Sequence, residues 1–295
     1  MIPRYDNRKK RRSAPRRLRR VTLAAAAVAL GGAVAGPCVS AAADAAPLAA
    51  RGGPSFPVYD NAAYRNVDLE RFGAVKSNIV YEGQVALLTA QEPNGSLDED
   101  LPSSAELALP PRDAYEALVR SATRYPGPVV LDFESLYLRG SYATAYRHYR
   151  RMETLLAWAH DAAPGHAIGY YGVLGNTEPR YFRLERRLAR HEDALFPSLY
   201  TFSDDLPAWR RRFQQIMDEA AYVAPGKPVY AYIRPQYHDG TKQAGEYLTP
   251  DHWRYELQVA RELCSGVVIW GPHRRVPDQR WIEVTEAFLA APLAL

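Results

Sequence analysis

The sequence predicts an α/β protein, a distorted TIM-like (β/α) barrel with about seven parallel strands. Short apolar runs alternate with longer amphipathic segments at the spacing of βα units. Several runs, such as Pro128-Val129-Val130-Leu131, are apolar on both faces, as expected of parallel strands covered by helices. No glycine-rich phosphate loop follows a strand, and its absence argues against an open nucleotide-binding sheet.

The individual elements follow from composition and periodicity. Seven segments rich in apolar, β-branched and aromatic residues are predicted as strands, at 56–60, 78–82, 128–134, 167–172, 194–200, 228–233 and 266–270. Six segments with apolar residues at helical spacing are predicted as helices, at 111–124, 142–163, 178–192, 205–223, 250–263 and 277–290. The polar, proline-containing stretch 91–111 is predicted as a long loop. Because the site of such a barrel is built at the C-terminal ends of its strands, this loop is expected to form one wall.

The basic character of the chain is confined to its start. Residues 1–46 hold ten of the 37 Lys and Arg residues and two of the 33 Asp and Glu residues, so the remainder carries a formal charge of about −4. Bulk charge therefore gives no support to nucleic-acid binding. A cationic stretch (4–20), an apolar run (21–36) and small-residue sites near 39–45 have the layout of an export signal.

We accordingly predict a leader over 1–46, a single barrel domain over 47–295, and a secreted protein without stable membrane insertion. Arg19-Arg20 before the apolar run leaves the twin-arginine route open, and a retained anchor is the alternative to cleavage. Cys38 belongs to the leader, so Cys264 remains as the single thiol. No internal disulfide is then available, and stability has to come from the core.

A pair of carboxylates is the first candidate for chemistry. Asp132 and Glu134 lie two residues apart at the end of the most apolar strand, and the strand period of two predicts that both face the barrel interior. Two neighbouring carboxylates resist ionising together, so one keeps a proton, as the acid of glycoside cleavage must. The alternative is that Asp132 caps a turn and Glu134 is a solvated loop residue.

Aromatic residues recur where the later strands end. They occur in Tyr170-Tyr171-Gly172, in 196–200, in 232–237 and in Trp270-Gly271. Aromatic faces with hydroxyl groups suit sugar rings, which present apolar C–H faces and polar edges. Any single tyrosine here is equally well explained as a core residue with a satisfied hydroxyl, but together they favour a saccharide groove.

Five motifs in order resemble those of the hyaluronidase family of glycoside hydrolases. They are Leu131-Asp132-Phe133-Glu134, Gly169-Tyr170-Tyr171-Gly172, Phe196-Pro197-Ser198-Leu199-Tyr200, Pro228-Val229-Tyr230-Ala231-Tyr232-Ile233 and Ser265-Gly266-Val267-Val268-Ile269-Trp270-Gly271. Tyr247-Leu248-Thr249-Pro250-Asp251 also resembles the family's segment at the start of the helix before the last strand. The resemblance runs from about residue 56 to 288 and implies a bare catalytic domain.

The resemblance implies an endo-acting hydrolase that cleaves the β-1,4 bond after an N-acetylhexosamine and retains configuration without a cofactor. Glu134 takes the role of proton donor, and the carbonyl oxygen of the substrate's acetamido group is the nucleophile. Asp132 orients that group and stabilises its positive charge. The family's acetamido pocket corresponds to Tyr200, Tyr237 and Trp270, and Tyr81 corresponds less closely to a groove tyrosine; Tyr171 is a further candidate for substrate binding.

The chain also departs from the family pattern. The family's disulfides are absent, Val173-Leu174-Gly175-Asn176 replaces a Pro-Asp-Cys-Tyr continuation, and Phe133 replaces a Trp. These differences leave the identity of the substrate polymer undecided. Hyaluronan, chondroitin or a bacterial N-acetylhexosamine polymer would all suit the pocket.

An acidic polymer requires positive charge near the groove. Arg139, Arg234, His238, Arg274 and Arg275 follow strand ends and are predicted to supply it. The remaining conspicuous arginines are interpreted as a solvated outer face, and they are Arg147, Arg150, Arg151, Arg186, Arg187, Arg190, Arg210, Arg211 and Arg212.

Three other functions remain open from the sequence. A metal site could draw on His238, Asp239, His252 and His273, but no pair has the spacing of a zinc motif, so no metal is predicted. A polysaccharide-binding barrel of the cell surface without turnover is the main alternative to an enzyme. A scaffold without a sugar ligand is the third, and it would make the aromatic strand ends accidental.

Overall fold

The computed structural model describes residues 56–91, 105–272 and 278–291. The leader, most of the predicted loop 91–111, and His273, Arg274 and Arg275 lie outside these ranges. The described strands are β1 (Val58–Ala62), β2 (Val75–Lys76), β3 (Asn78–Tyr81), β4 (Val129–Asp132), β5 (Ile168–Tyr170), β6 (Tyr230–Ile233) and β7 (Gly266–Gly271). The described α-helices are α1 (Glu82–Leu88), α2 (Arg112–Ala122), α3 (Tyr142–Ala162), α4 (Phe182–Ala189), α5 (Leu206–Val223), α6 (Pro250–Leu263) and α7 (Arg280–Ala290).

All pairings between these strands are parallel, and they form two sheets with the orders β2-β1-β7-β6 and β3-β4-β5. Ser77 alone separates β2 from β3. The Ser77 amide donates to Asp60 of β1 over 3.1 Å, and the Asn78 amide donates to Pro128 before β4 over 2.8 Å. The continuous segment formed by β2, Ser77 and β3 therefore pairs with the first sheet at its start and with the second sheet at its end.

The second junction between the sheets is residues 194–200, which the sequence predicts as a strand. This segment forms isolated parallel bridges instead, with Phe196 opposite Tyr171 and Ser198 opposite Tyr232. Pro197 has no amide hydrogen to donate, although its carbonyl accepts from the Tyr232 amide over 2.9 Å. Pairing thus continues around a distorted (β/α) barrel, and the predicted fold class is confirmed.

Local signals place several helix starts. Ser141, Asp205 and Thr249 each accept a hydrogen bond from the amide three residues later, at 3.1, 2.9 and 3.2 Å. Such caps satisfy amides that have no partner within the helix, and each contributes about 1 kcal/mol. These contacts explain why α3, α5 and α6 begin within a residue of their predicted starts.

Other boundaries differ from the sequence prediction. The predicted helix 178–192 divides into a 3₁₀ turn at Pro179–Tyr181 followed by α4. The short elements β2 and α1 were not predicted, because two residues and seven residues are too few to show a clear period.

Strand alternation builds the core in layers. On β4, Val129 and Leu131 pack outward among helix residues, whereas Val130 points into the ring with Phe196 and Val268. The backbones approach closely here: a Cβ on Gly169 of β5 would overlap the Ala194 carbonyl and lie 2.9 Å from the Phe196 ring. The lower part of the ring is therefore filled by side chains and closely packed backbone. None of the described helices is long and apolar enough to cross a membrane.

Candidate active site

The two carboxylates lie at the C-terminal end of β4. Asp132 is the last residue of the strand, two positions after the inward-facing Val130, and it lies in register beside Tyr81 of β3. The strand ends there, so the expectation that strand alternation orients Glu134 is wrong. Phe133 turns the chain (φ −126°, ψ 75°), and Glu134 begins a 3₁₀ turn, Glu134–Leu136.

That 3₁₀ turn is held by neighbouring loops. The Ser135 amide donates to the carboxylate of Glu82, at the start of α1, over 3.1 Å. The Ser135 hydroxyl accepts from the Leu107 amide over 3.0 Å. The described end of the predicted wall loop therefore contacts the turn that carries Glu134.

Tyr171 lies within reach of the charges of both carboxylates. Burial raises the pKa of its hydroxyl well above the usual value, and the negative charges of Glu134 and Asp132 raise it further. The hydroxyl also hydrogen-bonds the Ser198 side chain. Because the phenol stays protonated throughout the neutral range, it is a permanent hydrogen-bond donor beside both carboxylates.

Tyr200 and Trp270 form an aromatic wall next to this group. Their ring centroids are 5.9 Å apart, and the Tyr200 ring lies 6.2 Å from that of Tyr171. Burial raises the pKa of Tyr200 well above its usual value. Neighbouring Tyr171 and the charge of Asp132 raise the same pKa by smaller amounts. The structure thus brings Tyr171, Tyr200 and Trp270 together with Asp132, and it places Glu134 beside Tyr171.

Arg234 brings positive charge to the same wall. Its guanidinium carbon lies 5.8 Å from the Tyr200 ring centroid and 5.1 Å from that of Trp270. The residue is only 2% exposed, and its two terminal nitrogens donate to Asp239 over 3.3 and 3.2 Å. A planar guanidinium fits between rings and a carboxylate in a way that a lysine ammonium does not.

Tyr232 is a site residue that the sequence analysis missed. It is fully buried inside the ring at 4.9 Å from Tyr171, and its hydroxyl accepts from the Asn61 side chain over 3.4 Å. Burial raises its pKa well above the usual value, with further contributions from Tyr200, Asp132 and Tyr81. The available signal was the pair Tyr230 and Tyr232, whose spacing of two sends both side chains to one face of β6.

Tyr237, predicted to line the acetamido pocket, lies in the core outside the ring. Its hydroxyl donates to the carboxylate of Asp204, and its ring is perpendicular to that of His252 at 6.0 Å. Burial, reinforced by the charge of Asp204, raises its pKa to about 12. Tyr237 therefore joins the loop after residues 194–200 to the start of α6.

The predictions for His238, as a source of positive charge, and for Arg212, as part of a solvated face, are both corrected by the structure. His238 stacks on Tyr200 at 6.0 Å, and burial together with the charge of Arg234 lowers its pKa, so it is neutral at pH 7 and supplies no positive charge. Arg212 was interpreted as part of a solvated face, but it donates to the carbonyls of Ser198 and Tyr200 over 2.7 and 3.1 Å. It holds the irregular segment that carries Tyr200.

Arg139 lies on the exposed rim, with its guanidinium carbon 4.6 Å from the ring centroid of Tyr137. Of the metal candidates, His252 contacts Glu256 at 3.2 Å and Asp204 at 3.8 Å. Within the described ranges, no three His, Cys, Asp or Glu side chains are grouped as metal ligands.

Comparison with known proteins finds similar solved structures but no similar sequences. No family model matches the chain, and no curated protein matches it. The crystal structure of bee venom hyaluronidase superimposes with a TM-score of 0.53 at 18% identity, covering 74% of this chain and 91% of that one. The structure of bee venom hyaluronidase in complex with a hyaluronic acid tetramer gives a TM-score of 0.52 at 16% identity with the same coverage. At this identity the likeness shows a shared barrel fold.

Proposed function

We propose that this protein is a secreted endo-glycosidase that hydrolyses β-1,4 N-acetylhexosaminidic bonds in hyaluronan or a related polysaccharide. One observation carries the proposal: Asp132 ends β4 in register with Tyr81, next to a cluster of aromatic rings from Tyr171, Tyr200, Tyr232 and Trp270 whose neighbouring centroids are 4.9–6.2 Å apart. The charges of Asp132 and Glu134 both contribute to the raised pKa of Tyr171 in that cluster. Two carboxylates thus meet several protonated phenols in one aromatic cluster at the C-terminal end of a barrel. Such a cluster suits a sugar ring and the acid chemistry of its cleavage.

In the first step, the carboxylic acid of Glu134 gives its proton to the glycosidic oxygen as the bond from that oxygen to C1 breaks. The acetamido oxygen of the same sugar forms a new bond to C1 from the opposite face, which closes a five-membered ring. Asp132 accepts a hydrogen bond from the acetamido N–H and stabilises the positive charge of the ring. Trp270 and Tyr200 pack against the acetamido group.

In the second step, the Glu134 carboxylate takes a proton from water while the water oxygen bonds to C1. The bond between C1 and the acetamido oxygen breaks, so the acetamido group is restored and Glu134 is protonated again. Two displacements at C1 retain the configuration.

Reducing-end release tests the proposal on hyaluronan, chondroitin and an uncharged N-acetylglucosamine polymer. Glu134→Gln removes the proton and keeps the shape, so we expect turnover to fall by about 10²–10⁴-fold. Glu286→Gln, an exposed residue on α7, is the matched control and should retain full activity. Equal release by wild type and Glu134→Gln would refute the role of Glu134.

Two further measurements separate the alternatives. A thiazoline analogue of the cyclised intermediate should inhibit the enzyme competitively, because sulfur in place of oxygen keeps the ring but blocks its opening. Tight binding of polymer without release would instead identify a polysaccharide-binding barrel of the cell surface. Secretion is tested by sequencing the N-terminus of the protein recovered from culture medium, where we expect a start after the small-residue sites near 39–45.

A further inference from the structure

Positive charge is concentrated on one side of the barrel. The segments 139–153 and 178–190 hold nine Arg and three Glu, whereas the other residues after 46 hold 18 Lys or Arg and 28 Asp or Glu. One of the three, Glu185, is buried with a pKa raised well above its usual value by burial and by Glu219, so it contributes little negative charge. These segments therefore carry net positive charge on an otherwise acidic domain, although Glu106 pairs with Arg147 and Arg151, Glu153 with Arg150, and Glu178 with Arg180.

Exposed aromatic rings lie on the same face. Tyr142 and Tyr146 of α3 are 65% and 39% exposed, and their rings stack with centroids 5.9 Å apart and planes 14° apart. Tyr149 continues the row, 6.0 Å from Tyr146. Apolar rings of this size are normally buried or used, and two parallel exposed rings make a platform.

Arginines from α3 and α4 surround this platform. The Arg187 guanidinium carbon lies 4.8 Å from the Tyr149 ring centroid, and the charges of Arg187 and Arg150 both act on Tyr149. At the other end, Arg180 lies 5.0 Å from the Tyr181 ring, which is 6.4 Å from that of Tyr142. We call the exposed surface formed by Tyr142, Tyr146, Arg150, Arg180, Arg183 and Arg187 the arginine–tyrosine face.

This face is linked to the candidate active site through the loop that follows Glu134. Tyr142 lies only eight positions after Glu134, so their Cα atoms are at most roughly 29 Å apart. The Tyr181 hydroxyl and an Arg180 terminal nitrogen both donate to the Gly140 carbonyl, over 2.6 and 2.9 Å. The loop that leaves the Glu134 turn is thus attached directly to the face.

We propose that the arginine–tyrosine face is a second binding surface for an acidic polysaccharide, which holds the polymer while the candidate active site acts on it. Sugar rings stack on Tyr142 and Tyr146, and uronate carboxylates pair with the exposed Arg183 and Arg187. The ligand class rests on the proposed function, but the surface is separate from the catalytic carboxylates. Arg150 and Arg187, which the sequence analysis interpreted as part of a solvated outer face, then belong to a binding surface.

The test compares four proteins: wild type, Glu134→Gln, Tyr142→Ala/Tyr146→Ala, and Arg183→Gln/Arg187→Gln. Binding of long hyaluronan is measured by affinity electrophoresis, and turnover is measured on hyaluronan oligosaccharides too short to reach the face. We expect each face variant to bind the polymer about tenfold more weakly and to cleave the short substrates at the wild-type rate. Glu134→Gln should bind the polymer like wild type and cleave the short substrates about 10²–10⁴-fold more slowly.

The outcomes distinguish the two proposals. If wild type does not cleave the substrates, or if Glu134→Gln cleaves them as fast as wild type, the proposed function is refuted. The comparison of polymer binding between wild type and the face variants remains valid in either case. Unchanged polymer binding by both face variants refutes the second surface. Tighter binding of double-stranded DNA than of hyaluronan at equal salt, lost in the same variants, would assign the face to nucleic acid and overturn the proposal.

Discussion

Gly172 and Tyr137 fit against each other at the edge of the candidate active site. Gly172, just after β5, has φ +70°, and a Cβ added to it would overlap the Tyr137 hydroxyl and lie 3.1 Å from its Cζ. Tyr137 is one of the groups that act on Tyr171. A side chain at position 172 would therefore displace Tyr137 and disturb the phenol beside both carboxylates.

Gly172→Ala tests this relationship. Positive φ alone costs about 1–2 kcal/mol for a residue with a Cβ, and the clash adds to that cost. Gly226→Ala is the matched control, because Gly226 has φ +80° with nothing within 4 Å of an added Cβ. Urea denaturation and turnover should show a larger loss of stability for Gly172→Ala, together with a loss of activity that Gly226→Ala does not share. Equal effects would mean that Tyr137 moves aside freely.

The charge of Asp132 is tested by a substitution that keeps its shape. Asp132→Asn removes the negative charge that stabilises the cyclised intermediate, and we expect turnover to fall by about 10²-fold or more. The control is Asp251→Asn on the exposed start of α6, whose side chain is paired with Arg254. Full activity of Asp132→Asn at every pH would contradict the role proposed for this carboxylate.

Tyr232 offers a test of the residue that the sequence analysis missed. Tyr232→Phe removes a hydroxyl that receives the Asn61 hydrogen bond and lies near Asp132. Tyr230→Phe removes a hydroxyl from the same face of β6 lower in the ring and is the control. Each change should cost about 1 kcal/mol of stability, but we expect only Tyr232→Phe to lower turnover. A loss of activity in both variants would point to general loosening of the barrel interior.

Glu192 is expected to make the protein more stable in acid. Burial raises its pKa from 4.5 to about 7, although the Tyr170 amide donates to it over 2.8 Å. The folded state thus binds the proton more tightly than the unfolded chain, so its contribution is fully present below pH 4.5 and is lost as pH rises through 7. The expected contribution is about 3 kcal/mol. Glu192→Gln should flatten the dependence of unfolding free energy on pH in this window, and a curve parallel to wild type would refute the assignment.

Cys264 should be nearly inert in the folded protein. Burial raises the pKa of its thiol to about 11, so little thiolate exists at pH 8. A thiol reagent should label the native protein far more slowly than the protein in urea. Equal rates would show that the end of α6 opens readily.

Local sequence determined which segments form helices and most strands. The caps Ser141, Asp205 and Thr249 act within their own turns, and the apolar run in β4 is recognisable without its neighbours. The sequence also placed Asp132, Tyr171, Tyr200 and Trp270 at strand ends, because parallel strands bring their C-terminal ends to the same edge.

Tertiary structure decided which side of the ring each side chain faces. Residues 194–200 read as a strand, but Pro197 and pairing to two different neighbours reduce them to isolated bridges. Tyr237 and Tyr232 lie in one segment and look equivalent in sequence, yet one packs outside the ring and the other inside it. The physical reason is that strand register and tilt depend on contacts between distant segments, whereas hydrogen bonds within a helix or cap depend on neighbours along the chain.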